Sequence, residues 1–402
     1  MKIISVKTIR PFAYPNLVYL HIITDEDIVG LGETFLGAAG IEAHIHEVLA
    51  PYLLGKDPLK ISLHHELTRG FLGIGGSGTE NRARSAIDIA LWDILGKHSG
   101  KSLVNLLGGG VRDKIQIYNT CAGPNYAKNV PIAGRVSKNI WQLPDSKNDP
   151  YEDLQLYMTD AGKLAKDLLK NGVMGMKIWP FDEHLDRSNG HWITNKELDA
   201  GLKPFRQVRE AVGNEINLMA DIHTNWDVPN AIKIANALKE YNINWVEDPV
   251  RPNVEALTQF RNEVKVPLAT GETMGAASNY LPFLQKGLID YMMFDPVWIG
   301  GITEALKAGT IADAHQIPVS IHDCNGPVNF TVGVNLSMAM TNACTYETAR
   351  GFYYGWYKEL LEDVPLIDHG FVSPLNGDGL GIKLKDKWLE ESNSNIVISN
   401  LK

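Results

Sequence analysis

Cysteine is scarce in this 402-residue chain, and a long uncharged apolar run is missing altogether. The three cysteines, Cys121, Cys324 and Cys344, lie far apart with no C-x-x-C pair. That argues against a disulfide framework or a structural zinc site and fits a reducing cytoplasm. No stretch approaches the ~20 apolar residues of a membrane span. The opening MKIISVKTIR alternates like a strand and lacks the apolar centre of a signal peptide. Positive charge is also short: 38 Lys and Arg against 47 Asp and Glu leave a formal charge of -9. Wholesale binding to nucleic acid or to an anionic membrane face is thereby disfavoured. The expectation is a soluble cytoplasmic protein with neither as partner, and a homo-oligomer. An anionic substrate would be repelled slightly, so its site has to carry its own positive charge, from a metal or a lysine.

What remains is ordinary globular composition, 44% apolar and 21% charged, in a chain long enough for one large domain and a smaller one. Residues 2–9 and 16–24 alternate as strands, and residues 41–55 and 83–97 have helical spacing. In the latter, Ile87, Ala90, Leu91 and Ile94 stand at i, i+3, i+4 and i+7, with Ala83 and Leu95 widening the face. This α+β portion closes before residue 115. From there short apolar runs alternate with amphipathic helices such as 229–240. The strand candidates are Ile115–Cys121, Val173–Ile178, Ile216–Ile222, Ile243–Glu247, Pro267–Gly271, Ile289–Phe294, Pro318–Ile321 and Cys344–Glu347. Eight β-α repeats over about 250 residues predict a closed parallel (β/α) barrel of TIM type, with a doubly wound sheet as the structural alternative. The domain reading is therefore 1–114 for the α+β portion, 115–360 for the barrel, and 361–402 for a segment packing back on the first. Two long loops, 124–152 and 181–195, have the length of functional lids.

A barrel carries its active site where the strands end. The residues at those ends are Lys177, Asp221, Glu247, Glu272, Asp295, His322 and Glu347, with His223 two residues past Asp221. From Asp221 on, successive members lie 23–27 residues apart, one β-α unit each. Asp221, Glu247 and Glu272 put three carboxylates together, which is costly unless a cation neutralises them; all-oxygen ligation suits Mg²⁺ or Mn²⁺. The bland alternative is three exposed acids in surface ion pairs. His322 with Asp295 on the neighbouring strand is a base oriented by a carboxylate. Glu347, if held protonated, donates a hydrogen bond to a developing enolate oxygen. Lys177 supplies positive charge beside the metal. His223, by strand alternation, shares a face with Asp221.

These motifs, with VGLGET near residue 33, SAIDIALWDILGK and the terminal PLNGDGLG, resemble the mandelate racemase subgroup of the enolase superfamily over nearly the whole chain. The resemblance implies an N-terminal α+β capping domain over a modified barrel, and a Mg²⁺-dependent enzyme that removes the proton next to a carboxylate. The third-strand motif Asp221-Ile222-His223 is similar to that of galactonate and mannonate dehydratases, where the histidine serves as general acid for the leaving hydroxyl. Racemases of the subgroup have a Lys-x-Lys pair on the second strand; here it reads Lys177-Ile178-Trp179, which weakens a two-base racemase reading. The family's first lysine contacts the substrate carboxylate. The implied activity is that of an acid-sugar dehydratase, a hydro-lyase giving a 2-keto-3-deoxy acid, with an epimerase or cycloisomerase on the same scaffold as the alternative. Substrate length and stereochemistry fall to the capping loops and to residues 124–152.

Other classes find less support. The His44-Ile45-His46 pair matches the metal pair of amidohydrolase barrels but opens a helical stretch instead of ending the first barrel strand. The glycine-rich GIGGSG at 73–78 lacks the Gly-Lys-Ser/Thr of a P-loop. A catalytically dead homologue acting as a binding protein would have lost a metal ligand or the base, and both are present.

Overall fold

The computed structural model describes residues 1–69, 76–126, 128–133 and 149–402. Most of the lid candidate 124–152 and the first half of GIGGSG therefore lie outside the described residues.

The amino-terminal strands β1 (Ile3–Pro11), β2 (Leu17–Thr24) and β3 (Val29–Phe35) form an antiparallel meander. The sheet's fourth member comes from the far end of the chain: β14 (Ser394–Asn400) runs antiparallel to β1. The helix Thr79–Ser99 lies on this sheet, burying Ala83, Ile87, Ala90, Leu91 and Ile94 as the periodicity predicts. The two glycines of VGLGET are what let it come so close. A Cβ on Gly30 would stand 2.2 Å from the Ala90 carbonyl oxygen, and one on Gly32 would stand 2.0 Å from that of Ala86. The helix is buried on its other side too, where Asp88 and the barrel meet.

Strands β4 (Ile115–Thr120), β5 (Gly175–Ile178), β6 (Asn217–Asp221), β7 (Trp245–Glu247), β8 (Leu268–Thr270), β9 (Tyr291–Met292), β10 (Val319–Ile321) and β11 (Ala343–Thr348) pair in parallel in chain order. The ring closes where Glu347 of β11 pairs with Tyr118 of β4. The doubly wound alternative is thus set aside. The hairpin β12 (Leu366–Asp368) and β13 (Phe371–Ser373) adds antiparallel to β4, so the C-terminal segment serves both the barrel and the capping sheet.

Period-two alternation then decides what faces the lumen. On β5, Met176 and Ile178 pack outward among the helices while Gly175 and Lys177 face in; on β6, Leu218 and Ala220 face out while Met219 and Asp221 face in. Tyr118, Met219, Trp245, Ala269 and Met293 fill the lumen as an apolar plug. The ionisable layer sits directly above it. Gly175 matters here, since a Cβ would lie 2.5 Å from that of Tyr118. Among the described residues, no helix is long and apolar enough to cross a membrane.

Candidate active site

The strand ends bring all eight sequence-predicted residues to one mouth. One oxygen each from Asp221, Glu247 and Glu272 lies within 4.8 Å of the others. Asp221 and Glu247 are direct neighbours in the β6–β7 register, whereas Glu272 follows β8 by two residues. All three carry little or no solvent exposure, and Glu247 also accepts a bond from Trp245 Nε1 at 2.9 Å, from the plug below.

Buried carboxylates this close need compensation. Lys177 Nζ provides it, bonded to Glu247, 2.7 Å from Glu347 and 3.4 Å from Asp221. Burial pushes the Glu247 and Glu272 carboxyls above their ordinary range, with neighbouring carboxylates adding to the effect and Lys177 opposing it. Burial would raise Asp221 as well, but His223 and Lys177 outweigh it and hold that carboxyl low. The set is hard, anionic and all-oxygen, which fits a divalent cation of the Mg²⁺ or Mn²⁺ kind.

His322 enters from the other flank. Its Nδ1 pairs with Asp295 Oδ2 at 2.6 Å, and its Nε2 lies 3.3 Å from Glu272 Oε2 and 4.0 Å from Glu347 Oε2. Burial disfavours its charge, but Glu272, Glu347 and Asp295 together raise its pKa well above the ordinary value. The Trp298 ring lies 5.2 Å from the imidazole, and its Nε1 donates to the Phe35 carbonyl of the capping sheet. Arg82 of the capping helix stacks on that indole at 4.7 Å. The capping domain therefore builds the wall behind the base.

Comparison with known proteins is consistent along the chain. Residues 4–108 match the mandelate racemase / muconate lactonizing enzyme N-terminal domain, and residues 160–388 match the enolase C-terminal domain-like family. The D-galactonate dehydratase of Pectobacterium atrosepticum is 31% identical over 98% of this chain and 95% of its own. The D-xylonate dehydratase of Haloferax volcanii is 28% identical over 92% and 84%. An enolase of the mandelate racemase subgroup from Agrobacterium tumefaciens is 34% identical and superposes with a TM-score of 0.86, covering 100% of this chain and 99% of that one. The chain belongs to the mandelate racemase subgroup of the enolase superfamily.

Burial pushes the Glu347 carboxyl up, but Lys177 and His322, with the hydroxyl of Thr120, outweigh it and hold it below its ordinary range. One expectation for this enolase-superfamily enzyme changes in detail. His223 does lie beside Asp221, with Nε2 3.4 Å from Asp221 Oδ2, but strand alternation is not the cause. Strand β6 stops at Asp221, and His223 and Thr224 adopt left-handed backbone conformations, φ 49° and 56°. Asp221 Oδ1 accepts the His223 backbone N–H at 2.8 Å, fixing that turn. Burial lowers the His223 pKa, but Asp221 and Asp182 raise it to about 10.

Spacing missed four polar partners of the site. Thr120 ends β4 and bonds Glu347; asking what ends the first strand would have found it. Asn325 donates to Asp295 Oδ2, and the Asp323 backbone N–H donates to Glu347 Oε2 at 3.1 Å. Asp182 carries no spacing signal in its acidic loop. The position of the absent second lysine, Trp179, is buried, with its ring edge-on to His223 at 5.6 Å. His46, one of the amidohydrolase-like pair, spends both nitrogens on Thr8 and Ser399 at 2.8 Å each, tying its helix to the capping sheet.

Proposed function

We propose that this enzyme is an acid-sugar dehydratase that takes the α-proton of a polyhydroxy acid and expels its 3-hydroxyl, giving a 2-keto-3-deoxy acid. The observation that carries this reading is one mouth holding a carboxylate trio, a base mounted on a carboxylate, and a second histidine in reach of the same trio. The sugar-acid dehydratases among its relatives support it.

Asp221, Glu247 and Glu272 would hold Mg²⁺, or Mn²⁺. The ion when bound supplies Lewis acidity toward the substrate carboxylate, which makes the neighbouring C–H more acidic. Lys177 adds a fixed positive charge for the substrate's anionic end, in a chain whose net charge is negative. With a cation on the trio offsetting the pull of Glu272 on the imidazole's charge, His322 Nε2 is free to accept the α-proton while Asp295 holds Nδ1–H. The electron pair left on the α-carbon forms an enediolate. His223 protonates the 3-hydroxyl as it leaves as water, and the resulting enol tautomerises to the keto acid. Glu347 pairs with Lys177 at 2.7 Å on the same mouth. The test is a screen of Mg²⁺-loaded protein against a library of acid sugars. Keto-acid product from one or more aldonates is expected, and 2-epimer as sole product would replace this reading with the epimerase one.

A further inference from the structure

Asp182 lies on the short turn Pro180–His184 that follows β5, outside the residues whose roles are described above. Its Oδ2 pairs with His223 Nδ1 at 2.8 Å, and the side chain is 15% exposed. Its Oδ1 is buried and takes no hydrogen bond from any described residue, so among those residues the imidazole is the carboxylate's one side-chain hydrogen-bond partner.

The turn is held firmly enough to serve as a mount. Phe181 is fully buried and stacks on Phe205 with centroids 6.1 Å apart. It seats on Gly201, where a Cβ would fall 2.4 Å from its ring. The Asp182 backbone N–H donates to the Trp179 carbonyl, and the Trp179 indole stands at 78° to the His223 imidazole. His223 thus has an aromatic wall, a carboxylate on Nδ1, and Nε2 turned toward Asp221. His322 is built the same way: Asp295 on Nδ1 and Nε2 toward Glu272. Two imidazoles just past the ends of different strands face one carboxylate trio, each through the same nitrogen. A carboxylate on one ring nitrogen fixes which nitrogen carries the exchangeable proton.

We infer that Asp182 is the positioning residue of His223, holding Nδ1–H so that Nε2 is the atom that delivers the proton to the departing hydroxyl. The inference rests on the reading of His223 as the general acid. Trp179, standing where racemases of the subgroup carry a second lysine, is the other half of the mount.

The experiment compares wild type, D182N and D182E, loaded with Mg²⁺, on an acid sugar that the wild type dehydrates. Keto-acid formation and α-proton exchange in D₂O are measured side by side. D182N should lose about 100-fold in kcat for the keto acid with little change in KM, while exchange stays within about threefold. D182E, which restores the carboxylate, should recover part of the loss. Equal loss of both reactions, or undiminished dehydration by D182N, overturns the inference. A reading that needs no Asp182 variant comes from the imidazole ¹⁵N spectrum of the wild type. The resonance absent from H223N should show a protonated Nδ1, and a bare Nδ1 contradicts the mount. A wild type that exchanges the α-proton but yields no keto acid refutes the dehydratase reading instead, before Asp182 is touched.

Discussion

Replacing Asp295 with asparagine tests the base through its support. Asp295 is wholly buried and surrounded by donors: Nδ1 of His322 at 2.6 Å, Nδ2 of Asn325, and the Val297 backbone N–H at 2.9 Å on Oδ1. A carboxylate accepts from all three; an amide has one oxygen. With that oxygen toward His322, its NH₂ meets the Val297 N–H; flipped, its NH₂ meets the imidazole and forces the other tautomer. A charge-assisted bond of this kind contributes about 1.5–3 kcal/mol. At about 1.4 kcal/mol per decade, D295N should slow α-proton exchange about 10- to 100-fold in the unflipped geometry. The flipped amide would cost more, toward the ~10⁴-fold seen when a base is held in the wrong tautomer. H322N should abolish exchange altogether. The assay follows deuterium incorporation at the α-carbon by NMR in D₂O, with saturating Mg²⁺. D295N exchanging at the wild-type rate would show that the buried pair has no bearing on the base.

Other expectations follow from the same geometry. Chelation should abolish activity and Mg²⁺ or Mn²⁺ restore it, while E247Q should weaken metal affinity by removing both a charge and a ligand oxygen; calorimetry with either ion checks it, and full activity after chelation contradicts it. Glu33 is buried at the N-terminus of the helix Pro327–Ala339, accepting from the Val328 and Asn329 backbone N–H groups, and burial lifts its pKa from 4.5 to about 8. Between those values the native state binds a proton that the unfolded chain has released. Its contribution is full below about pH 4.5 and is lost as pH rises through about 8, by up to about 1.4 kcal/mol per unit. Urea melts across that range should show the decline in the wild type and a flatter profile in E33Q; equal slopes would contradict it.

Much of this was legible in the sequence because the barrel imposes two regularities at once. From Asp221 on, repeats of 23–27 residues place a strand end in each unit, and period-two alternation turns alternate residues inward, so Asp221 and Glu247 fall in one layer, which Lys177 joins by the same alternation on β5. The strand spans expected from apolar runs contain most of the observed strands, only longer, because runs such as Ile289–Phe294 continue past the two residues that pair in β9. What spacing cannot show is a partner supplied by a loop or another domain. Asp182 reaches His223 from 41 positions away, and Phe35 and Arg82 complete the wall behind His322 from the capping sheet and helix. Nor does it show charge balance. Lys177 stands 2.7 Å from Glu347, a pairing that no spacing announces.

Under the proposed function, deprotonation and loss of the hydroxyl are separate duties, assigned to His322 and His223. The direct measurement is H223N, with Mg²⁺ and a substrate found by the library screen, assayed in D₂O for deuterium at the α-carbon and for keto acid. Keto-acid formation should stop while α-proton exchange persists, because His322, Asp295 and the carboxylate trio are untouched. Keto acid formed by H223N at the wild-type rate would contradict it.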